Sequence, residues 1–255
     1  MNVASRTQVG EISVAEDLTF SDLRDALAAG WSDYRAFPMG GLFFGLIFVL
    51  GGIGLSYFLL VSGEMVWAIP ATAGFPLLAP FAAAGLYEIS RRRMEGLPLT
   101  WKPVLGAIRA GDGQVAFMGM LAFVLFSFWV ILAHTIFGMF MNEATMSGDI
   151  LGTLLSLHGL AMLAIGTIAG AVVAWTLYMT TVISLPMLLD KEVDFITAMI
   201  VSMRVVRVNR AVMSLWACVI AVALVAAMLP AFLGLLLVLP VFGHATFHLY
   251  RRAVR

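Results

Sequence analysis

The sequence has 255 residues, of which 62% are hydrophobic and 12% charged, with a mean hydropathy of +0.99. A water-soluble domain is about half apolar and about a quarter charged, so this chain has too little charge to cover a water-facing surface, and lipid is its expected solvent. The formal net charge is +0 and no concentrated basic tract points to nucleic acid, so the information lies in where the charges sit.

Residues 1–17 are expected to form a flexible cytoplasmic tail, without the short apolar core and small-residue cleavage site of a signal peptide. A single membrane domain, 18–255, follows. It opens with "LTFSDLRDALAAGWSDYRAF", where Leu18, Leu23, Ala26, Leu27, Trp31 and Tyr34 approximate one face of an amphipathic helix. Thr19 is placed to cap it, with Asp22 and Asp25 in its first turn. A bilayer core needs about 20 apolar residues in helical form. The first such span runs about Gly40–Val61 and the second about Val66–Ile89. A second amphipathic stretch, "LTWKPVLGAIRAG", carries Trp101, Val104, Leu105 and Ile108. The third span is about Val115–Met141, and the fourth lies within Leu154–Leu189. A third amphipathic stretch, "VDFITAMIVSMRVVRVN", carries Phe195, Ala198, Met199, Met203 and Val206, with Thr197 in its capping region. The fifth and sixth spans are about Val212–Met228 and Ala231–Leu249, divided at Pro230. Barrel strands alternate over about ten residues, and these segments are too long and too evenly apolar for that. The expected class is an all-α membrane protein with six transmembrane helices.

Lys and Arg accumulate on the cytoplasmic side of a membrane. Arg6, Arg24 and Arg35 precede the first span. Arg91, Arg92, Arg93, Lys102 and Arg109 separate the second and third, and Lys191, Arg204, Arg207 and Arg210 separate the fourth and fifth. Arg251, Arg252 and Arg255 follow the last. The connections around Gly63, Asn142 and Pro230 hold none. Six spans therefore place every basic residue on one face and both termini in the cytoplasm. Each amphipathic stretch precedes a two-span hairpin, and "PFAAAGLYEISRR" from Pro80 matches "PVFGHATFHLYRR" from Pro240. This describes three parallel repeats of interfacial helix plus helical hairpin, about 18–98, 99–192 and 193–255.

"GWSDYRAFP", "LLAPFAAAGLYEISRRRMEG" and "ISLPMLLDKEVDFITAMIVSMRVVRVN" resemble the integral membrane proteins catalogued as domain of unknown function 2189, over about Leu18 to Arg255. The motif of Pro80, Gly85, Tyr87, Glu88, Ser90, Arg91, Arg92, Glu95 and Gly96 carries most of the resemblance. It implies a bacterial inner-membrane location and no established reaction. Some members carry a label linking them to cytochrome c oxidase subunit I, which implies respiratory-complex subunits as partners. Oxidase catalysis does not carry over, because that subunit is about twice as long with about twice the spans.

The residues themselves offer little chemistry. His134 and His158, towards the outer ends of the third and fourth spans, stand with Met139, Met141, Glu143 and Met146 near a copper-like ligand set. The chain has 16 methionines, however, and most fill gaps between helices. Haem held between two helices needs histidines at both depths, which no span supplies. His244 and His248 share one face of the sixth span near its inner end, where they reach headgroups or a neighbouring carboxylate. No carboxylate marks a path at mid-depth. Glu88 sits about one turn from Arg91 and Arg92 and is expected to form a local ion pair, with Arg92 at the favourable i+4 spacing. Asp190, Glu192 and Asp194 are expected to solvate a turn after Pro186. Gly41 with Gly45, and Gly166 with Gly170, suit close helix packing, and Cys218 is expected to be a packed small hydrophobe. No nucleophile with a base, phosphate-cradling loop or metal spacing is present, so neither an enzyme nor a cofactor is expected.

The leading expectation is an accessory, assembly or scaffold partner of a membrane complex. Tyr87, Glu88, Arg91, Arg92, Ser202, Arg204 and Asn209 would serve anchoring, lipid-headgroup contact and partner docking. One alternative is transport of a small or lipid-like solute through the centre of the repeats, which requires a hydrated polar cavity. The other is copper or haem binding through His134, His158, Met139 and Met141.

Overall fold

The computed structural model describes residues 12–63, 67, 71–72, 75, 79–107, 113–141 and 150–254. Among these the chain forms eleven helices and no strand. They are α1 (Phe20–Ala36), α2 (Pro38–Val61), α3 (Ala79–Met94), α4 (Trp101–Gly106), α5 (Gln114–Phe140), α6 (Ile150–Leu155), α7 (Leu157–Thr181), α8 (Ser184–Asp190), α9 (Phe195–Val208), α10 (Arg210–Met228) and α11 (Leu235–Ala253).

Local chemistry sets the helix boundaries. α1 starts at a capping box, in which the Thr19 hydroxyl accepts from the Asp22 N–H and the Asp22 carboxylate accepts from the Thr19 N–H at 2.7 Å. This satisfies two of the amide donors a helix start leaves free. At α9 the cap is Asp194 rather than Thr197. Its carboxylate accepts the Thr197 N–H at 3.0 Å and the Thr197 hydroxyl at 2.7 Å. Asp194 therefore organises this turn instead of only solvating it. The break between α7 and α8 has a visible cause. The Ser202 hydroxyl accepts the Ile183 N–H at 3.2 Å and donates to the Met179 carbonyl at 2.8 Å. It sits inside what would be one i to i−4 bond of a continuous helix, three residues before Pro186, and such insertions kink helices.

Four helical stretches are long and apolar enough to cross a membrane: 38–61, 114–140, 157–190 and 210–228. Only 17–33% of the most apolar window of each is buried within the protein, so most of that apolar surface lies on the outside of the bundle. Six such helices were expected. The stretch leading into α3 lies largely outside the described residues, and α11 carries His244, His248, Arg251 and Arg252 in its second half, which lowers its apolarity.

α11 is the centre of the packing. From His244 to Tyr250 every residue except His248 is buried, and its neighbours include α1, α2, α3, α8 and α10. Glycines permit the closest approaches. A β-carbon at Gly30 would lie 2.6 Å from both the Ala245 nitrogen and the Val241 carbonyl, and one at Gly45 would lie 2.9 Å from the Leu236 Cα. The short or amphipathic helices follow a pattern: α1 packs on α11, α4 on α3 and α9 on α7.

Residues 12–17 do not behave as the expected flexible tail. Ile12, Ala15 and Leu18 are buried, Val14 forms an antiparallel bridge with Val254, and the Ala15 N–H donates to the Ala253 carbonyl at 2.9 Å. Both ends of the described chain thus meet at one end of the bundle. We call this the basic end, because the arginines of α3, α9 and α11 gather there.

Candidate functional site

The basic end is organised by carboxylates, four of which, Asp17, Asp22, Asp33 and Asp190, receive donors from the last turns of α11. Asp33, 3% exposed on α1, is bonded by His248 Nε2 at 2.7 Å and by Arg93 of α3. Arg93 also donates to the Ser32 hydroxyl. Asp190, at the end of α8, accepts from Arg251 at 2.7 and 2.8 Å and from the Tyr250 hydroxyl at 2.6 Å. Asp22 accepts from Arg252 at 3.0 Å. Asp190 is therefore an enclosed ion-pair partner, not the solvated turn residue expected from the sequence. Burial by itself would raise the Asp33 carboxyl. The hydrogen bonds of His248 and Ser90 and the nearby His248 and His244 outweigh it and hold the group below its ordinary value. His244, fully buried, shares a 2.8 Å hydrogen bond between its Nδ1 and the Ser90 hydroxyl.

The residues singled out from the sequence fall into two sets on different helices, with no hydrogen bond or ion pair joining them among the described residues. On α3, Tyr87 is buried and stacks on Phe247 at 6.3 Å. Glu88 is nearly buried and takes a two-pronged contact from Arg91, both distances 2.8 Å, with Arg92 more distant at 3.6 Å. Both arginines thus contact Glu88, the closer pair at i+3 and the looser one at i+4. Arg91 also reaches Glu95 at 2.8 Å, and the hydrogen bonds to Glu88 raise its affinity for its proton further. Arg92 donates to the Pro98 carbonyl. On α9, Ser202 is the inserted hydroxyl described above. Asn209, also buried, accepts the Leu18 N–H at 3.1 Å and donates to the Ala15 carbonyl at 2.8 Å. It clamps the N-terminal segment. Arg204, by contrast, is exposed together with Arg207 and Arg210, and none of the three forms an ion pair among the described residues.

The structure does not assemble the candidate metal ligands. His134 stacks on Trp67 with ring centroids 3.8 Å apart, Met141 is buried beside Ile136 and Met162, and Met139 and His158 are exposed. Among the described residues no three His, Cys, Asp or Glu side chains converge. Glu143 and Met146 lie outside the described residues.

Between α2, α3, α7, α10 and α11 runs a cleft of about 500 Å³, with no charged side chain and no histidine in its lining. Its polar contributors are Tyr87, Tyr178, Thr181, Ser214, Cys218 and Thr246. Cys218 is exposed along this cleft instead of packed. Sequence reasoning allowed His248 a neighbouring carboxylate without identifying Asp33, and it missed the cleft and the partners of Tyr250, Arg251 and Arg252. The one available signal was the acidic set Asp22, Asp33 and Asp190 amid basic residues.

These features define an all-helical integral membrane protein with apolar helices facing lipid and a polar assembly at one end. Residues 68–190 match the family described as predicted integral membrane protein, DUF2189, which shows the resemblance for the segment from α3 to α8. The flanking motifs "GWSDYRAFP" and "VDFITAMIVSMRVVRVN" lie outside the matched residues. No curated protein and no solved structure matches the chain.

Proposed function

We propose that this is a non-catalytic protein of the bacterial inner membrane that works by association, as an accessory or scaffold partner of a membrane complex. One observation carries the reading. Arg91, Arg92, Arg93, Arg251 and Arg252 are all bonded within the protein, whereas Arg204 and Arg207 of α9 are exposed, without an ion pair among the described residues, beside exposed Ile196 and Ile200. An exposed face of apolar and basic residues suits headgroups or an acidic partner at the membrane surface. Tyr87, Glu88, Ser202 and Asn209 then act by holding the scaffold, and Arg204 by contact.

The proposal includes six crossings, with the stretch before α3 and α11 added to the four, and both termini cytoplasmic. The meeting of Val14 and Val254 supports an even number of crossings. The packing of α4, α9 and α1 each on the inward helix of the preceding hairpin, with α1 closing on the last, supports three repeats arranged in a ring. The transport alternative asked for a polar cavity, and the cleft between the hairpins is apolar instead.

The test is mass spectrometry of what co-purifies with a tagged full-length copy from its native membranes. The expected result is a membrane-complex subunit recovered in stoichiometric amount with the wild type and lost with Arg204→Glu plus Arg207→Glu at unchanged thermal stability. Recovery of both forms alone would overturn the association reading.

A further inference from the structure

We infer that the cleft between the hairpins holds one acyl chain of an anionic phospholipid, with its phosphate at Arg210. The lining is continuous along one face of α10 from Ser214 to Met228, about 21 Å at 1.5 Å per residue. That length, with so apolar a lining, suits a hydrocarbon chain, and the volume falls within the roughly 300–1,000 Å³ of ligand pockets. Two of its hydroxyls are already engaged. Tyr178 donates to the Met213 carbonyl at 2.7 Å and Thr181 to the Leu177 carbonyl at 2.7 Å. The cleft therefore offers a hydrocarbon surface and no free charged group, which selects an apolar ligand.

Its opening has a structural origin. The first and third hairpins close tightly through Gly41 and Gly45, where β-carbons would meet Pro240 and Leu236 at 2.9 Å. The second and third are tied at the basic end by the Tyr178–Met213 bond. Beyond it, small residues such as Ala171, Ala174, Ala217 and Ala221 leave space between α7 and α10. Arg210 supplies the charge complementarity. It begins α10 one turn before Ser214, on the same helical face as Ser214, Ala217 and Ala221, and it is exposed with no ion pair among the described residues. A lipid whose chain enters here from the adjoining leaflet brings its phosphate to that guanidinium. The inference rests on the membrane-spanning class alone and not on the association proposal, so either can fail without the other.

The experiment is native mass spectrometry of the full-length protein released from nanodiscs of equal parts phosphatidylglycerol and phosphatidylcholine. One retained phosphatidylglycerol per chain is expected. Ala221→Phe, which fills the cleft, should abolish retention, and Arg210→Gln should weaken it roughly fivefold, the scale of one basic residue at a lipid surface. Cys218, the sole cysteine, gives a second readout without mutation: phosphatidylglycerol should slow its reaction with a small methylating thiol reagent. Equal retention by Ala221→Phe would overturn the inference, as would no retained lipid together with an unchanged Cys218 rate. Retention of phosphatidylcholine or of a different apolar compound, or an unchanged Arg210→Gln, would overturn the headgroup assignment.

Discussion

Asp33 concentrates the chemistry of the basic end in one carboxylate. Because its folded value is depressed below the ordinary 3.8, the charged form is favoured by folding. That stabilisation is fully present above the unfolded value and is lost as pH falls through the folded one. Asp22 and Asp194 are also depressed and act in the same window. Thermal unfolding in detergent should therefore show stability falling below about pH 4, and Asp33→Asn should make that fall shallower. At neutral pH the same substitution should cost about 1–3 kcal/mol, because it leaves the Arg93 and His248 donors without a charged acceptor. An acid limb unchanged by Asp33→Asn would show that this charge carries no stability. A carboxylate near His248 was legible in kind, but its identity was not: Asp33 and His248 are 215 positions apart, and no spacing rule reaches so far. Glu88 was legible in kind but not in detail. Helical spacing admits Arg91 and Arg92 equally, and the choice falls to the arginine whose guanidinium can present two parallel N–H groups to the carboxylate.

At the level of helices, glycines that look alike in sequence separate into two kinds. Gly45 lies against the backbone of α11 and Gly170 on the Trp129 ring, whereas Gly166 has nothing within 4 Å of its would-be β-carbon. Spacing announces that a helix can be approached closely, but only the three-dimensional neighbour decides whether it is. Gly30→Ala should separate α1 from α11, since backbone atoms at 2.6 Å cannot move aside as a side-chain tip can. The expected loss is about 1–3 kcal/mol. Gly166→Ala should instead be neutral or stabilising by up to about 1 kcal/mol, the helix-propensity difference. Thermal midpoints of the two variants, compared side by side, check this contrast, and equal midpoints would refute the close α1–α11 contact. Capping shows the same limit of sequence reasoning. Thr19 was identifiable because its box partner follows three residues later, but at α9 the pair is inverted, with Asp194 as cap and Thr197 as its N–H donor.

For the whole molecule, composition and apolar run length made the all-helical membrane class legible. Four helices now carry it by length and apolarity. The ordering of residues 12–17 was hidden because it depends on Asn209, a buried amide more than 190 positions away. Asn209→Ala should free this segment. Hydrogen exchange at Leu18 should accelerate, and stability should fall by about 1–3 kcal/mol for the orphaned groups. Unchanged protection of Leu18 would show that the Val14–Val254 bridge suffices. Reporter fusions at the two ends should also register the same side of the membrane, because Val14 and Val254 pair. That junction has a consequence in time. α1 finishes at Ala36 while its main partner begins at Leu235, so at 5–20 residues per second about 200 residues of synthesis separate them, roughly 10–40 s. Throughout that interval α1 lacks the helix that covers Gly30 and that brings the His248 donor to Asp33. A chain truncated before α11 would lack it permanently, a persistent mark by which quality control could tell an unfinished copy from a complete one.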